Sequence, residues 1–231
     1  MTASILDSNL FSPLFHSKEM REKFDDNARV RGYLETEAAL ARAQARIDMI
    51  PSEAATRITQ AAREMRIDME QLCSDTGTVG YPILGLVRQL AKASGEEAGG
   101  YVHWGATTQD IMDTGSVLQI RDGLDLIERD LTRVLAALES LADKHRDTVM
   151  AGRTHLQHAL PITFGYKAAV WLDSVRRASQ RLEEMRPRVL KVQLGGAAGT
   201  LASMGPAAKS VTALLADELN LETPLIPWHS S

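Results

Sequence analysis

Apolar positions in the first hundred residues come in short bursts, each closed by a polar or helix-breaking residue. Residues 1–16 read as an irregular arm in which Leu10, Phe11, Leu14 and Phe15 are available to pack down. Ser17 can cap a short helix through Phe24, and Asp25 or Asp26 a longer one through about Met49. In the longer segment Val30, Leu34, Glu37/Ala38, Ala41 and Ala45 recur at helical spacing. Pro51 suits the first turn of a helix over Ser52–Met65. Asp68 starts a further segment that Thr76-Gly-Thr-Val-Gly80 breaks, and Pro82 opens another over Ile83–Ala93. Gly95-Glu-Glu-Ala-Gly-Gly100 is the best linker candidate, which predicts a boundary between residues 1–100 and 101–231.

The pattern then changes scale. From Gln109 to His145, Ile111, Leu118, Leu124, Ile127, Leu131, Leu135, Leu138 and Ala142 mark an apolar stripe. From Leu124 onward its steps are three and four, as in a bundle helix. At 1.5 Å per residue this predicts a rod of roughly 55 Å. A second long helix is expected from Ile162 toward Arg186, where Pro187 should kink or restart it. A final helix is expected over Pro206–Leu219, ahead of Pro224-Leu-Ile-Pro-Trp-His-Ser-Ser231. Two such rods need more burial partners than this chain supplies, so the bundle reads as incomplete or as completed by other subunits.

Composition narrows the class. The 231 residues are 44% hydrophobic and 24% charged, enough apolar content for a sizeable core. Few aromatics and many Ala and Leu favour helix. A net charge of −4 gives no reason to expect nucleic acid or an anionic membrane as partner. No apolar run reaches the ~20 residues of a membrane span, and no basic-then-apolar leader opens the sequence. The single cysteine, Cys73, excludes an internal disulfide framework and reads as a buried helix-face thiol. A reducing, cytoplasmic setting is expected.

Two stretches carry candidate chemistry. Between the rods lies Ala151-Gly-Arg-Thr-His-Leu-Gln-His-Ala-Leu-Pro-Ile-Thr-Phe-Gly-Tyr166, longer and more polar than a helix reversal requires. It is read as an irregular segment at a bundle end that presents His155 for proton transfer. Ahead of the first rod, Tyr101–Thr114 places Thr107, Thr108 and Gln109 at a helix N-terminus, where unpaired N–H groups and the helix dipole favour an anion. Simple capping is the competing reading of those residues. Gly195-Gly-Ala-Ala-Gly199 resembles half of a phosphate loop, but no strand precedes it and no Gly-Lys-Ser follows. Close backbone packing or a substrate-facing turn fits it better. His155 and His158 lack the further ligands of a metal site, and no nucleophile elbow supports a hydrolase.

His103-Trp-Gly-Ala-Thr-Thr-Gln-Asp110 with Asp113-Thr114, followed by Gly152-Arg-Thr-His-Leu-Gln-His-Ala159 with Pro161 and Thr163, resembles the fumarase/aspartase superfamily. Within it the chain looks most like the 3-carboxy-cis,cis-muconate cycloisomerase branch, whose reaction is a lactonisation in aromatic-compound degradation (the protocatechuate branch). The resemblance implies an all-α fold with a small N-terminal helical domain, residues 1–100, and a central long-helix bundle, residues 101–231. It implies a homotetramer with a twenty-helix core and active sites drawn from three subunits. The substrate implied is a small polycarboxylate, with no cofactor and no metal. By the same resemblance Thr107, Thr108 and Gln109 bind a carboxylate, His103 contacts substrate or shapes the site, Thr154 holds substrate oxygens and His155 is the proton-transfer partner. Adenylosuccinate lyase or another lyase of the superfamily is the alternative, and a non-catalytic helical assembly fragment is a third. The family's third signature, a Ser-Ser-x-Met-Pro-x-Lys-x-Asn-Pro loop, does not occur in these residues. The expectation is a chain cut before that loop and inactive by itself.

Overall fold

The computed structural model describes residues 4–8 and 10–228. His229, noted above in the terminal stretch, lies outside them. The expected all-α class is borne out except for one hairpin. The helices are α1 (Lys18–Phe24), α2 (Asp26–Ala45), α3 (Ser52–Glu64), α4 (Met69–Val79), α5 (Ile83–Ser94), α6 (Glu96–Gly99), α7 (Thr108–Lys144), α8 (Phe164–Val189) and α9 (Ala208–Leu219). Strands β1 (Val149–Thr154) and β2 (Gln157–Thr163) pair antiparallel between α7 and α8.

Local signals set the short helices. The side chains of Ser17, Asp25 and Asp68 accept from the N–H groups of Met20, Ala28 and Gln71, capping α1, α2 and α4. The end of α2 comes earlier than expected, at Ala45, and Asp48 then turns the chain with φ +56°. The break expected at Thr76–Gly80 is displaced: α4 runs through Gly77 and stops at Gly80, whose φ of +92° makes the left-handed C-terminal cap. α8 runs past Pro187 and ends two residues later, at Val189, so the helix stops there rather than restarting. Cys73 is exposed rather than buried, since α4 turns Leu72 inward instead. The arm residues Leu10, Phe11, Leu14 and Phe15 also stay exposed.

The chain divides into two compact units, one of residues 1–121 with 189–231 and one of residues 122–188. The linker candidate at 95–100 lies inside the first unit, where Glu96–Gly99 is a helical turn. In that unit one apolar cluster gathers Tyr33, Leu34, Ile58, Leu72, Leu86, Leu90 and Ile111, and a second gathers Leu40, Leu118, Val192, Leu194, Val211 and Leu215. α2 feeds both. It crosses the start of α7 closely at Gly32 and Gly115: a Cβ at Gly115 would sit 2.5 Å from the Tyr33 ring. Without side chains at this crossing the two backbones approach, which brings the polar face of α2 to the loop ahead of α7. α7 in turn holds helix ends, with Gln119 Nε2 donating to Lys23 O (2.9 Å) and Arg121 Nη1 to Leu219 O (2.7 Å).

In the second unit the remainder of α7 meets the start of α8. A Cβ on Gly165 would lie 2.5 Å from Ala142 O, and the N–H groups of Phe164 and Gly165 donate to Thr148 and His145 at 2.8 Å each. His145 meets the Phe164 ring edge-on at 5.1 Å. Along α7 the residues Leu131, Leu135, Leu138 and Ala142 are half-buried, while Ile127, Val134 and Leu141 are exposed.

Candidate active site

His103 sits in the turn that precedes α7 and adopts φ +62°, a conformation that side-chain-bearing residues rarely take. Two residues of α2, seven apart and so on one helix face, grip this turn. Glu37 Oε1 accepts from His103 Nδ1 at 2.6 Å, and Gln44 Nε2 donates to Trp104 O at 2.7 Å. A carboxylate can only accept, so His103 carries its Nδ1 proton. Burial disfavours a charge on His103, but the hydrogen bond and charge of Glu37, together with Asp110, outweigh it and raise the imidazole above its ordinary value.

The first turn of α7 follows. Thr107 occupies the capping position, and its N–H donates to Asp110 Oδ2 (3.0 Å) while Asp110 N–H donates to Thr107 O (3.0 Å). Asp110 is buried and takes three further donors: Gly195 N–H at 2.8 Å and Gln193 Nε2 at 3.3 Å on Oδ1, and Gly196 N–H at 2.9 Å on Oδ2. This carboxylate therefore pins the glycine-rich loop to the helix start. Gly196 is needed there. Gly196 has φ +66°, and a Cβ on it would come 3.2 Å from Gly105 O. Of the two readings kept for Gly195–Gly199, close backbone packing is what the geometry gives for its first two residues. Gln193 is held in register by Thr114, whose Oγ1 accepts from Gln193 N–H (2.9 Å) and donates to Gln193 O (3.0 Å). Trp228 closes this side, its N–H on Gln193 Oε1 (2.9 Å) and its indole N–H on Asp113 Oδ2 (2.7 Å).

Thr107 and Thr108 are half-buried at the helix start, and Gln109 is exposed with its Nε2 donating to Asp113 Oδ2 at 3.2 Å. One end of the first unit thus holds His103, Thr107, Thr108 and Gln109 together. The other two candidates, Thr154 and His155, belong to the second unit. The irregular segment expected around them is instead a hairpin. Thr154 pairs with Gln157, so His155 and Leu156 form a two-residue turn with Leu156 at φ +58°. A register shift between Ala151 and Arg153 marks a bulge at Gly152, where a Cβ would stand 2.4 Å from Leu160 O. Thr154 and His155 are exposed. His158 faces Arg153 across the strands.

Sequence reasoning missed Glu37, Gln44, Asp110 and Gln193 as parts of this arrangement. One signal was present: Glu37 occupies a stripe position on α2 where an apolar residue belongs. The bonds of Asp110 and Gln193 reach across more than eighty residues, and no local pattern announces them. Among the described residues no cluster of three His, Cys, Asp or Glu side chains could hold a metal ion, and no helix is long and apolar enough to cross a membrane.

A lyase family model matches residues 15–230. The chain belongs to this lyase family. A solved fumarate lyase from Mesorhizobium sp. is 60% identical with a TM-score of 0.90, over 94% of this chain and 51% of its own. A 3-carboxy-cis,cis-muconate cycloisomerase from Pseudomonas aeruginosa is 46% identical, over 96% of this chain and 49% of its own length. An N-acetyl-S-(2-succino)cysteine lyase from Enterococcus italicus is 39% identical, over 100% of this chain and 50% of its own length. This member of the lyase family thus spans about half the length of the curated relatives it matches. The superfamily resemblance read from the two motifs is borne out.

Proposed function

We propose that the protein containing this chain is a 3-carboxy-cis,cis-muconate cycloisomerase-type enzyme. The observation that carries the reading is a helix start whose first-turn amides suit an anion, preceded by a His103 that Glu37 and Asp110 hold above its ordinary value, in a chain 46% identical to a relative of that name. Thr107, Thr108 and Gln109 bind one substrate carboxylate through first-turn amides and side chains. His103 contacts the substrate, Thr154 holds its oxygens and His155 transfers the proton. In this reaction one carboxylate oxygen adds to the substrate's own double bond, forming the C–O bond of the lactone. The proton is delivered to the carbon beside the second carboxylate, whose doubly charged intermediate is stabilised by fixed donors. Tethering of nucleophile and acceptor in one molecule removes most of the entropic cost of the encounter. No cofactor and no metal is required.

The proposal extends to architecture and setting. Residues 1–100 form the N-terminal helical domain and residues 101–231 contribute to the central bundle. The enzyme is a homotetramer in the cytoplasm, supported by the exposed Ile127, Val134 and Leu141 of α7 and by a lone, exposed thiol. Elimination from a succinyl adduct is the second reading, favoured by the Enterococcus italicus relative. Both readings use the same carboxylate recognition. The test is absorbance-monitored turnover of 3-carboxy-cis,cis-muconate, N-acetyl-S-(2-succino)cysteine, adenylosuccinate and fumarate by the full-length protein. Loss of the muconate chromophore is expected. Turnover confined to a succinyl adduct would replace the first reading with the second.

A further inference from the structure

Glu37 is an acid in an alanine run, Glu37-Ala-Ala-Leu-Ala41, and is only 2% exposed. A buried carboxylate is costly unless a charge or donors compensate it. Its Oε1 meets His103 at 2.6 Å, the range of a charge-assisted bond, while Oε2 has no hydrogen-bond partner among the described residues. So Glu37 is matched to one group. Packing alone does not ask for it, because Leu34, Leu40 and Ala41, three or four residues away on the same helix face, are buried without polar side-chain atoms. The close crossing at Gly32 and Gly115 and the bond from Gln44 to Trp104 O hold α2 against the His103 turn. That turn keeps a left-handed residue whose side chain remains 21% exposed. With Nδ1 committed to Glu37, Nε2 is the nitrogen left for a ligand.

We propose that Glu37 is the positioning residue for His103, fixing its ring and its Nδ1 proton so that Nε2–H is presented to a substrate carboxylate. The proposal rests on the reading of His103 as a substrate-contacting group. The charged groups facing the imidazole are Glu37 from α2 and Asp110 from the first turn of α7. An amide at position 37 keeps the volume and a hydrogen bond but removes the charge. It therefore separates positioning from packing.

The experiment uses the full-length enzyme, the substrate it turns over in the panel above, and propane-1,2,3-tricarboxylate as a calorimetric probe. Glu37→Gln is expected to raise KM and the probe's Kd about tenfold, with a smaller change in kcat, since it acts on binding. The fall of probe affinity on the alkaline side should move to lower pH, because His103 loses its proton more readily without Glu37. Glu37→Asp should recover part of the affinity, and it carries the test if Glu37→Gln fails to fold. In a His103→Gln background, Glu37→Gln should add little, since its partner is gone. Equal losses in both backgrounds, or an unmoved pH profile, would overturn the inference and leave the functional reading intact. A parent enzyme that turns over no member of the panel would remove that reading and this inference with it.

Discussion

α2 and α8 are both long helices, yet they use their surfaces in opposite ways. Eleven of the twenty residues of α2 are buried, among them Thr36, Glu37 and Gln44. Of the twenty-six residues of α8, only Gly165 and Ala168 are. The same contrast separates the candidate site groups. Those of the first unit are fixed by partners inside it: His103 by Glu37, the start of α7 by Asp110, Gln193 by Thr114. Thr154 and His155 stand exposed on a hairpin tip beside Leu156, which is 94% exposed. A polar group held by buried bonds is already oriented before anything binds, whereas one on an exposed tip gains its orientation from whatever packs onto it. On the proposed function, the first unit supplies recognition that is preformed, and the second supplies a proton-transfer group whose orientation depends on what packs onto it.

The largest effect should come from the exposed member. In the full-length enzyme, His155→Gln should lower turnover by about 10²–10⁴-fold, the usual contribution of a positioned acid or base. Its melting temperature should hardly move, because the tip has no buried bonds to lose. Stopped-flow turnover beside a thermal melt reads both. A few-fold loss of rate would make His155 a bystander and erase the contrast between the units.

Core substitutions sharpen the same contrast on the stability axis. Leu86 is fully buried in the first unit, so Leu86→Ala should cost about 2–5 kcal/mol through lost transfer energy and a residual cavity. Ile127 is exposed on α7 in the second unit, and Ile127→Ala should cost less than about 0.5 kcal/mol in the dispersed chain. Urea unfolding of the two variants decides it. Equal costs would mean that the second unit has a core the single chain does not display. Next in size is Asp110→Asn. It places an amide N–H₂ against backbone N–H groups and should cost about 2 kcal/mol, loosening the glycine-rich loop from α7.

What the sequence made legible follows the range of the interactions. Side-chain caps act over three residues, and Ser17, Asp25 and Asp68 were each identifiable from position alone. The rods were legible because a stripe repeated over thirty-seven residues is hard to mistake. The hairpin was not. The length and polarity of the segment argued for irregular structure, and no Asn-Gly or Asp-Gly marked the turn, which Leu156 makes at a positive φ instead. The failure at Gly77 has the same origin: its place on an exposed helix surface leaves open space around it, so only its modest propensity cost argued against helix. The two motifs located one end of the candidate site. Its support did not show, because Glu37, Gln193 and Trp228 come from segments whose proximity only the fold creates.

The smallest effect concerns pH, and it tests whether the first unit is preformed in the sense argued. The folded His103 titrates above its unfolded value of about 6.5 because Glu37 and Asp110 outweigh the cost of burial. Below that unfolded value both states bind the proton, and the contribution of the pair to stability is fully present. Between the unfolded and the raised folded values the native state holds more protons than the unfolded one. Unfolding free energy must then fall as pH rises, and the contribution is gone once the folded group has titrated. Urea midpoints taken from about pH 5.5 to about pH 8.5 should show this decline in the parent chain, whereas in Glu37→Gln the His103 part should flatten or reverse, since burial then opposes the charge with only Asp110 against it. The difference between the two curves isolates the pair from every other titrating group. Parallel curves would mean that the carboxylate does not stabilise the imidazolium, and the His103 turn would then be no better prepared for an anion than the hairpin tip.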